Sequence, residues 1–253
     1  MSEITLATDL MLLLFVTGMV AGTLDAMAGG GGLITLPVLL FAGLPPTEAL
    51  ATNKLQGSFG TFSASLYFLR HRAVRLSDIP FLIICTFIGS MSGTLLVQHL
   101  NTDLLNRMVP VLLILTALYF WFGPGISPLD REQRISRAAF ALLIGFTVGF
   151  YDGFFGPGAG TFFTLGFVAL QGFNIIKATA HTKILNFTSN IASLIFFAAG
   201  GYVAWSLGLI MAAGQLIGGR LGAKLVIRSG TRLLRPLIVI VSLVISVKLL
   251  IGY

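Results

Sequence analysis

Charge is what this sequence has least of. Only 10% of its 253 residues are Asp, Glu, Lys or Arg, against about 25% in an ordinary soluble domain. Too few polar side chains remain to cover a water-facing surface, which excludes a conventional soluble globule. Cysteine is nearly absent as well. The lone Cys85 sits in an apolar run, so neither a disulfide framework nor a cysteine-based metal site can form within one chain. The sequence has no HExxH zinc signature and no G-x-S-x-G elbow, the motifs that would recommend a membrane-embedded enzyme. No Lys or Arg precedes Lys54. The basic start of a cleavable signal peptide is therefore missing, and the first apolar run is expected to be retained.

What is present is apolar sequence. The hydrophobic set makes up 56% of the chain, and the mean hydropathy is +0.94. Runs of spanning character lie at about 10–24, 33–43, 50–69, 79–98, 108–122, 138–151, 160–171, 178–199, 203–219 and 236–251. A full span needs about 20 apolar residues. The runs 33–43 and 160–171 fall short, and each follows a glycine-rich break after a run that carries an aspartate. They read as broken or half-length helices, tolerated at membrane depth where protein or a polar cavity satisfies the backbone. The fold class expected is all-α: a polytopic helical membrane protein.

The formal charge of +7 and pI near 10 suggest a nucleic-acid partner until the basic residues are located. Arg70, Arg72 and Arg75 share one connection, and Arg131, Arg134 and Arg137 another. Arg220, Lys224, Arg228, Arg232 and Arg235 crowd a third, and Lys177 stands in a fourth. The alternate connections, near 44–48, 99–107 and 200–205, carry only Arg107. Basic loops stay inside, so the bias encodes orientation and no nucleic-acid partner is expected. Ten segments with both termini outside satisfy every loop.

The chain also repeats itself at an offset of about 127. Gly22–Gly29 aligns with Gly149–Gly156, pairing Asp25 with Asp152, and Ala51-Thr-Asn-Lys54 aligns with Ala180-His-Thr-Lys183. Gly89 and Gly93 align with Gly214 and Gly218, and Pro110 with Pro236. Matching loops carry opposite charge bias, so the halves should face opposite ways. The organisation expected is a first repeat at 1–123, a basic linker at 124–137 and an inverted second repeat at 138–253, each of about five segments. Inverted repeats with paired broken helices mark many secondary transporters, with the site at the repeat interface near the midplane.

The polar residues inside apolar runs mark that site. A charged group in a membrane segment costs about 2.5–3.5 kcal/mol on insertion scales and faces a cavity or a partner. Counted from Thr47 and Asn174 as helix caps, Lys54 and Lys183 lie roughly 10 and 13 Å into the layer, so both flank the midplane. Two cations there suit an anion. The alternative is a structural pairing within each half, Asp25 with Lys54 and Asp152 with Lys183. The glycine runs Gly29-Gly30-Gly31-Gly32 and Gly156-Pro157-Gly158-Ala159-Gly160 allow close backbone approach, and a helix starting after them offers N–H groups to an anion. Gly18/Gly22, Gly89/Gly93, Gly145/Gly149 and Gly214/Gly218/Gly222 read as helix-packing glycines. Asn53, Gln56 and Ser58 near Lys54, and His181, Thr182, Asn186 and Ser189 near Lys183, are candidate neutral donors to an oxyanion. The tyrosines and tryptophans, Tyr151 among them, read as interface anchors.

Taken together, Asp25-Ala-Met-Ala-Gly-Gly-Gly-Gly-Leu33, Ala49-Leu-Ala-Thr-Asn53-Lys54-Leu-Gln56, Gly149-Phe-Tyr-Asp152-Gly-Phe-Phe-Gly-Pro-Gly158 and Lys177-Ala-Thr-Ala-His181-Thr-Lys183 resemble the TauE/SafE family of sulfite and organosulfonate exporters. The resemblance runs from about residue 10 to the C-terminus. It implies a bacterial inner-membrane secondary carrier of sulfite, sulfoacetate or related sulfonates, with Asp25–Gly32, Asn53–Gln56 and their second-half counterparts at its site. The expected partners are a small anionic substrate and the lipid bilayer, with a proton or sodium ion as the coupling ion, and oligomers are left open. No cofactor and no metal are expected. A channel and a membrane-embedded enzyme are the competing classes.

Overall fold

The computed structural model of the chain describes residues 8–122 and 132–229. Nine helices follow one another there: α1 (Thr8–Ala28), α2 (Gly32–Phe41), α3 (Pro46–Arg70), α4 (Pro80–Gln98), α5 (Thr102–Phe122), α6 (Arg137–Phe154), α7 (Ala159–Leu170), α8 (Ile175–Ala199) and α9 (Trp205–Ser229). A π-helical stretch, Ala141–Phe146, lies inside α6, and a single 3₁₀ turn, Leu76–Asp78, precedes α4. The apolar run at 236–251, and with it the C-terminus, lies outside the described residues.

The sequence starts and stops these helices locally. Proline stands in the first turn of α3 and α4, where its missing N–H would be unpaired anyway. So α3 begins at Pro46, and Thr47 is not its cap. Asn174 does cap α8, its side-chain oxygen accepting from the Lys177 amide at 3.0 Å. The half-length helices end on the same device: Gly43 and Gly172 turn left-handed at φ 87° and 69°, a conformation glycine adopts without strain.

Helices α1, α4, α6 and α9 are long and apolar enough to cross a membrane. Their outer faces stay apolar, with Leu12, Leu13, Ile84, Leu142 and Ile217 all exposed. Helices α3 and α8, each 25 residues long, are the inner pair and bury their polar residues. The polarity profile is that of a lipid-facing protein: apolar outside, polar within. The chain is a multi-pass helical membrane protein.

Two hydrophobic cores sit at opposite ends of these helices. One gathers Phe68, Val74, Leu82, Phe140, Ala178, Ile184 and Val226; the other gathers Leu14, Ala49, Leu55, Val97, Phe197, Val203 and Met211. Every long helix that touches both runs from one to the other, and α2 and α7 each belong to a single core. The described basic connections at 71–79 and 132–136, the connection before Lys177 and the basic last turns of α9 all adjoin the first core. That end is called the basic end here, and the other the neutral end. Residues 129 apart occupy opposite cores: Ala49 and Ala178, Leu55 and Ile184, Phe68 and Phe197, Leu82 and Met211, Val97 and Val226. Equivalent helices of the two halves therefore run in opposite directions.

Glycine seams hold the halves together. A Cβ on Gly214, Gly218 or Gly222 would strike the α1 backbone at Phe15, Met19 and Thr23 in turn. A Cβ on Gly89 or Gly93 would strike the α6 backbone at Phe146 and Phe150. Both helix pairs are parallel, both join one half to the other, and close backbone approach is what small residues provide in lipid. The seams also correct the alignment of the halves. Met19 and Thr23 are the counterparts of Phe146 and Phe150, so Gly89 matches Gly218 and Gly93 matches Gly222, not Gly214 and Gly218. The cause is local. Five residues separate Gly29 from Thr35 in the first half and seven separate Gly156 from Thr164 in the second, which moves the offset from 127 to 129 for everything after.

Candidate functional site

Both glycine breaks lie where the two cores meet. α1 stops because Gly29 turns left-handed (φ 80°), its amide bonding to Asp25 O at 2.7 Å. α6 stops the same way at Gly156 (φ 102°), and Gly158 (φ 85°) redirects the chain into α7. The breaks then touch each other. A Cβ on Gly29 would collide with Gly160, and one on Gly32 would meet Pro157 at 3.1 Å. Thr161 donates to the Ala28 carbonyl across the same contact. Tyr151 belongs to this junction rather than to a membrane interface: its hydroxyl donates to Pro157 O at 2.7 Å and lies 3.2 Å from Thr116 Oγ1.

Two ion pairs flank the junction, and both cross between halves. Lys54 Nζ lies 2.5 Å from Asp152 Oδ1, and Lys183 Nζ lies 3.0 Å from Asp25 Oδ2. The within-half pairing of Asp25 with Lys54 and Asp152 with Lys183 does not form. Because equivalent helices run in opposite directions and cross at their middles, each lysine reaches the aspartate of the other half.

The pairs share residue types but not surroundings. Lys54 also donates to the Asp152 backbone carbonyl, and Ser189 donates to Asp152 Oδ2. Lys54 and Asp152 side chains are 1% and 5% exposed. In the other pair Lys183 is equally buried, but Asp25 is 18% exposed and takes its second bond from the Gly31 amide at 3.2 Å. The protein's own carboxylate thus sits on an ammonium and on an amide just ahead of α2, where a helix N-terminus favours an anion.

Neutral residues extend the centre on each side. Thr35 donates to Asn53 Oδ1 at 2.6 Å, and Gln56 donates to the same oxygen at 2.6 Å. Thr164 and Thr182, their duplicates, bond at 3.0 Å. Asn186 stands beside Gly160, and its buried Oδ1 has no hydrogen-bond partner among the described residues. Ser58 turns back onto its own helix, donating to Lys54 O at 2.7 Å. Gly30 is buried inside the first break, and its carbonyl accepts from the Leu33 amide. His181 is not at the centre. Its ring packs between Phe167 and Phe173 near the basic end, with Nδ1 2.7 Å from Lys177 O.

Gln215 is a site residue that pattern reading passes over. It is buried on α9, donates to Gln56 Oε1, and fills the space left by the missing side chain of Gly60. Its signal was available: a glutamine in the middle of an apolar, glycine-rich run.

A lipid-facing helical fold of two opposed halves, with crossed ion pairs at a double helix break, defines the class: a membrane transporter. The chain belongs to the sulfite exporter TauE/SafE family, which it matches over residues 14–249. It is 53% identical over 237 residues to the probable membrane transporter protein YfcA of Escherichia coli (strain K12), covering 94% of this chain and 88% of that one. A probable membrane transporter protein of Haemophilus influenzae is 51% identical over 241 residues, covering 95% and 94%. YunE of Bacillus subtilis, also a probable membrane transporter protein, is 24% identical over 263 residues, covering 94% and 96%. No solved structure matches the chain.

Proposed function

We propose that the chain is a secondary carrier, working as an exporter, of small sulfur-containing oxyanions such as sulfite, sulfoacetate or other organosulfonates. It would work by alternating access between its two halves, with the basic end at the cytoplasm and the membrane the bacterial inner membrane. The observation that carries the reading is the Asp25 carboxylate held by Lys183 Nζ and the Gly31 amide while partly exposed. A sulfite or sulfonate, pyramidal or tetrahedral at sulfur, offers two of its three charged oxygens to the same donors. An incoming anion competes with Asp25 for Lys183, and Asp25 leaves that contact most readily once it takes a proton. Anion and proton then move together, and rocking of one half against the other carries both across. Asn186, with its unpartnered oxygen, would accept from a protonated substrate oxygen. Asn53 and Gln56 would orient the opposite side.

The test is flux of sulfite and of sulfonates into proteoliposomes, comparing the natural chain with Lys183→Ala, Lys54→Ala and Asp25→Asn. Saturable, proton-dependent uptake that Lys183→Ala abolishes supports the carrier. Folded protein that moves no anion on a broad panel ends this reading, and conductance without saturation assigns the pore to the channel class.

A further inference from the structure

The basic end holds a cavity of about 380 Å³, between the 71–80 connection and the beginnings of α6 and α8. Arg72, Arg75, Arg137 and Lys177 line it, with Asp78 the one acid among them and His181 farther in. Among the described residues none of the four cations is in an ion pair.

A general excess of cations at this end follows from membrane orientation. Their individual placements do not. Arg137 and Lys177 occupy the first turns of α6 and α8, where the backbone dipole is already positive and a cation is unfavourable. Arg72 has φ 55°, the one positive φ outside glycine among the described residues, a conformation that strains a side-chain-bearing residue.

The duplicated half shows that the fold requires none of this. The turn after α8 has the same hydrogen bonds as the turn after α3, and Gly201 at φ 75° stands where Arg72 does. The counterparts of Arg75, Arg137 and Lys177 are Ala204, Leu10 and Glu48. Cations thus hold unfavourable positions in one half that the other half abandons, and of the four Lys177 has the Phe173 ring 4.0 Å from its Nζ.

We infer that this cavity is an oxyanion-binding vestibule, a loading site separate from the ion-paired centre. Its ligand chemistry is a small tetrahedral or pyramidal oxyanion, and it takes its substrate class from the carrier reading above. The buried, closely packed rings of Phe140 and Phe167, centroids 4.7 Å apart, line its inner wall.

The experiment uses the full chain in phosphatidylcholine vesicles, with thermal unfolding followed in sulfite or methanesulfonate against chloride at equal ionic strength. The oxyanions should raise the wild-type midpoint, and Lys177→Glu should remove that shift. Arg72→Gly should unfold at a higher temperature than wild type without anion, because the strain is gone, yet respond less to it. In flux assays with substrate on the basic side, each variant should raise KM roughly tenfold, the effect of one lost charge-assisted contact, at unchanged maximal rate. Equal anion shifts in wild type and both variants overturn the vestibule. So does stabilisation that needs phosphatidylglycerol in the bilayer and ignores free anion, which makes the cavity a lipid headgroup site. An anion shift lost in the variants of a protein that moves no oxyanion sustains the vestibule and ends the carrier reading.

Discussion

The two ion pairs at the centre are copies of one motif put to different uses. Lys54–Asp152 is held by the Asp152 carbonyl and Ser189, and next to it the α4–α8 hydroxyls Ser90, Ser193 and Thr94 bond to one another and to the carbonyls of Ser189 and Gly153. The counterparts of Ser189, Ser90, Ser193 and Thr94 are Gly60, Gly219, Ala64 and Ala223. Around Lys183–Asp25, then, the same helix contact is smooth and the carboxylate is partly exposed. Duplication made the halves alike, and the differences assign one pair to holding the fold and the other to exchange with a ligand.

The sharpest way to break that distinction is to remove one member of the closed pair. Lys54→Ala leaves Asp152 charged and buried, and stranding such a charge costs about 3–5 kcal/mol. Yield in the membrane and the unfolding midpoint should both collapse. Lys54→Met with Asp152→Leu should regain most of that stability, since apolar substitutes for a whole buried pair are often neutral, and a double mutant as unstable as the single would make the pair irreplaceable. In the open pair, Lys183→Ala should cost clearly less, because Asp25 has solvent and the Gly31 amide to fall back on, while transport disappears. Matching losses of stability in Lys54→Ala and Lys183→Ala would erase the comparison. Ser189→Ala should destabilise by about 1.5–3 kcal/mol, the range for a hydrogen bond to a charged group, read from the same unfolding curves. Thr164→Ala, which removes a neutral bond to Thr182, should cost only about 1 kcal/mol, read from the same unfolding curves.

Much of this arrangement was legible before any coordinates. Spans, basic loops, the two short helices and the pairing of Asp25 with Asp152 follow from hydropathy and repetition, because lipid leaves a chain few alternatives. The partners of Lys54 and Lys183 were not legible. Spacing within a half makes the wrong pairing as natural as the right one, and only the crossing of opposed helices decides between them. The shift of register after Pro157-Gly158 was hidden too, since glycines recur every four residues and Gly214/Gly218 match Gly89/Gly93 as well as Gly218/Gly222 do. His181 lies apart from Lys183, packed between Phe167 and Phe173. Two residues from Lys183 along a helix is nearly the opposite face.

The crossed pairing also constrains how the chain is made. Asp25 and Lys183 are 158 residues apart, and synthesis at about 5–20 residues per second separates their appearance by roughly 8–30 s. Throughout that interval the first half rests in the bilayer with its counter-charge still unsynthesised and the glycine face of α1 uncovered. Arrival of the second half is then a pairing event as well as a docking event: Asp25 meets Lys183 while the glycines of α9 close on the backbone of α1.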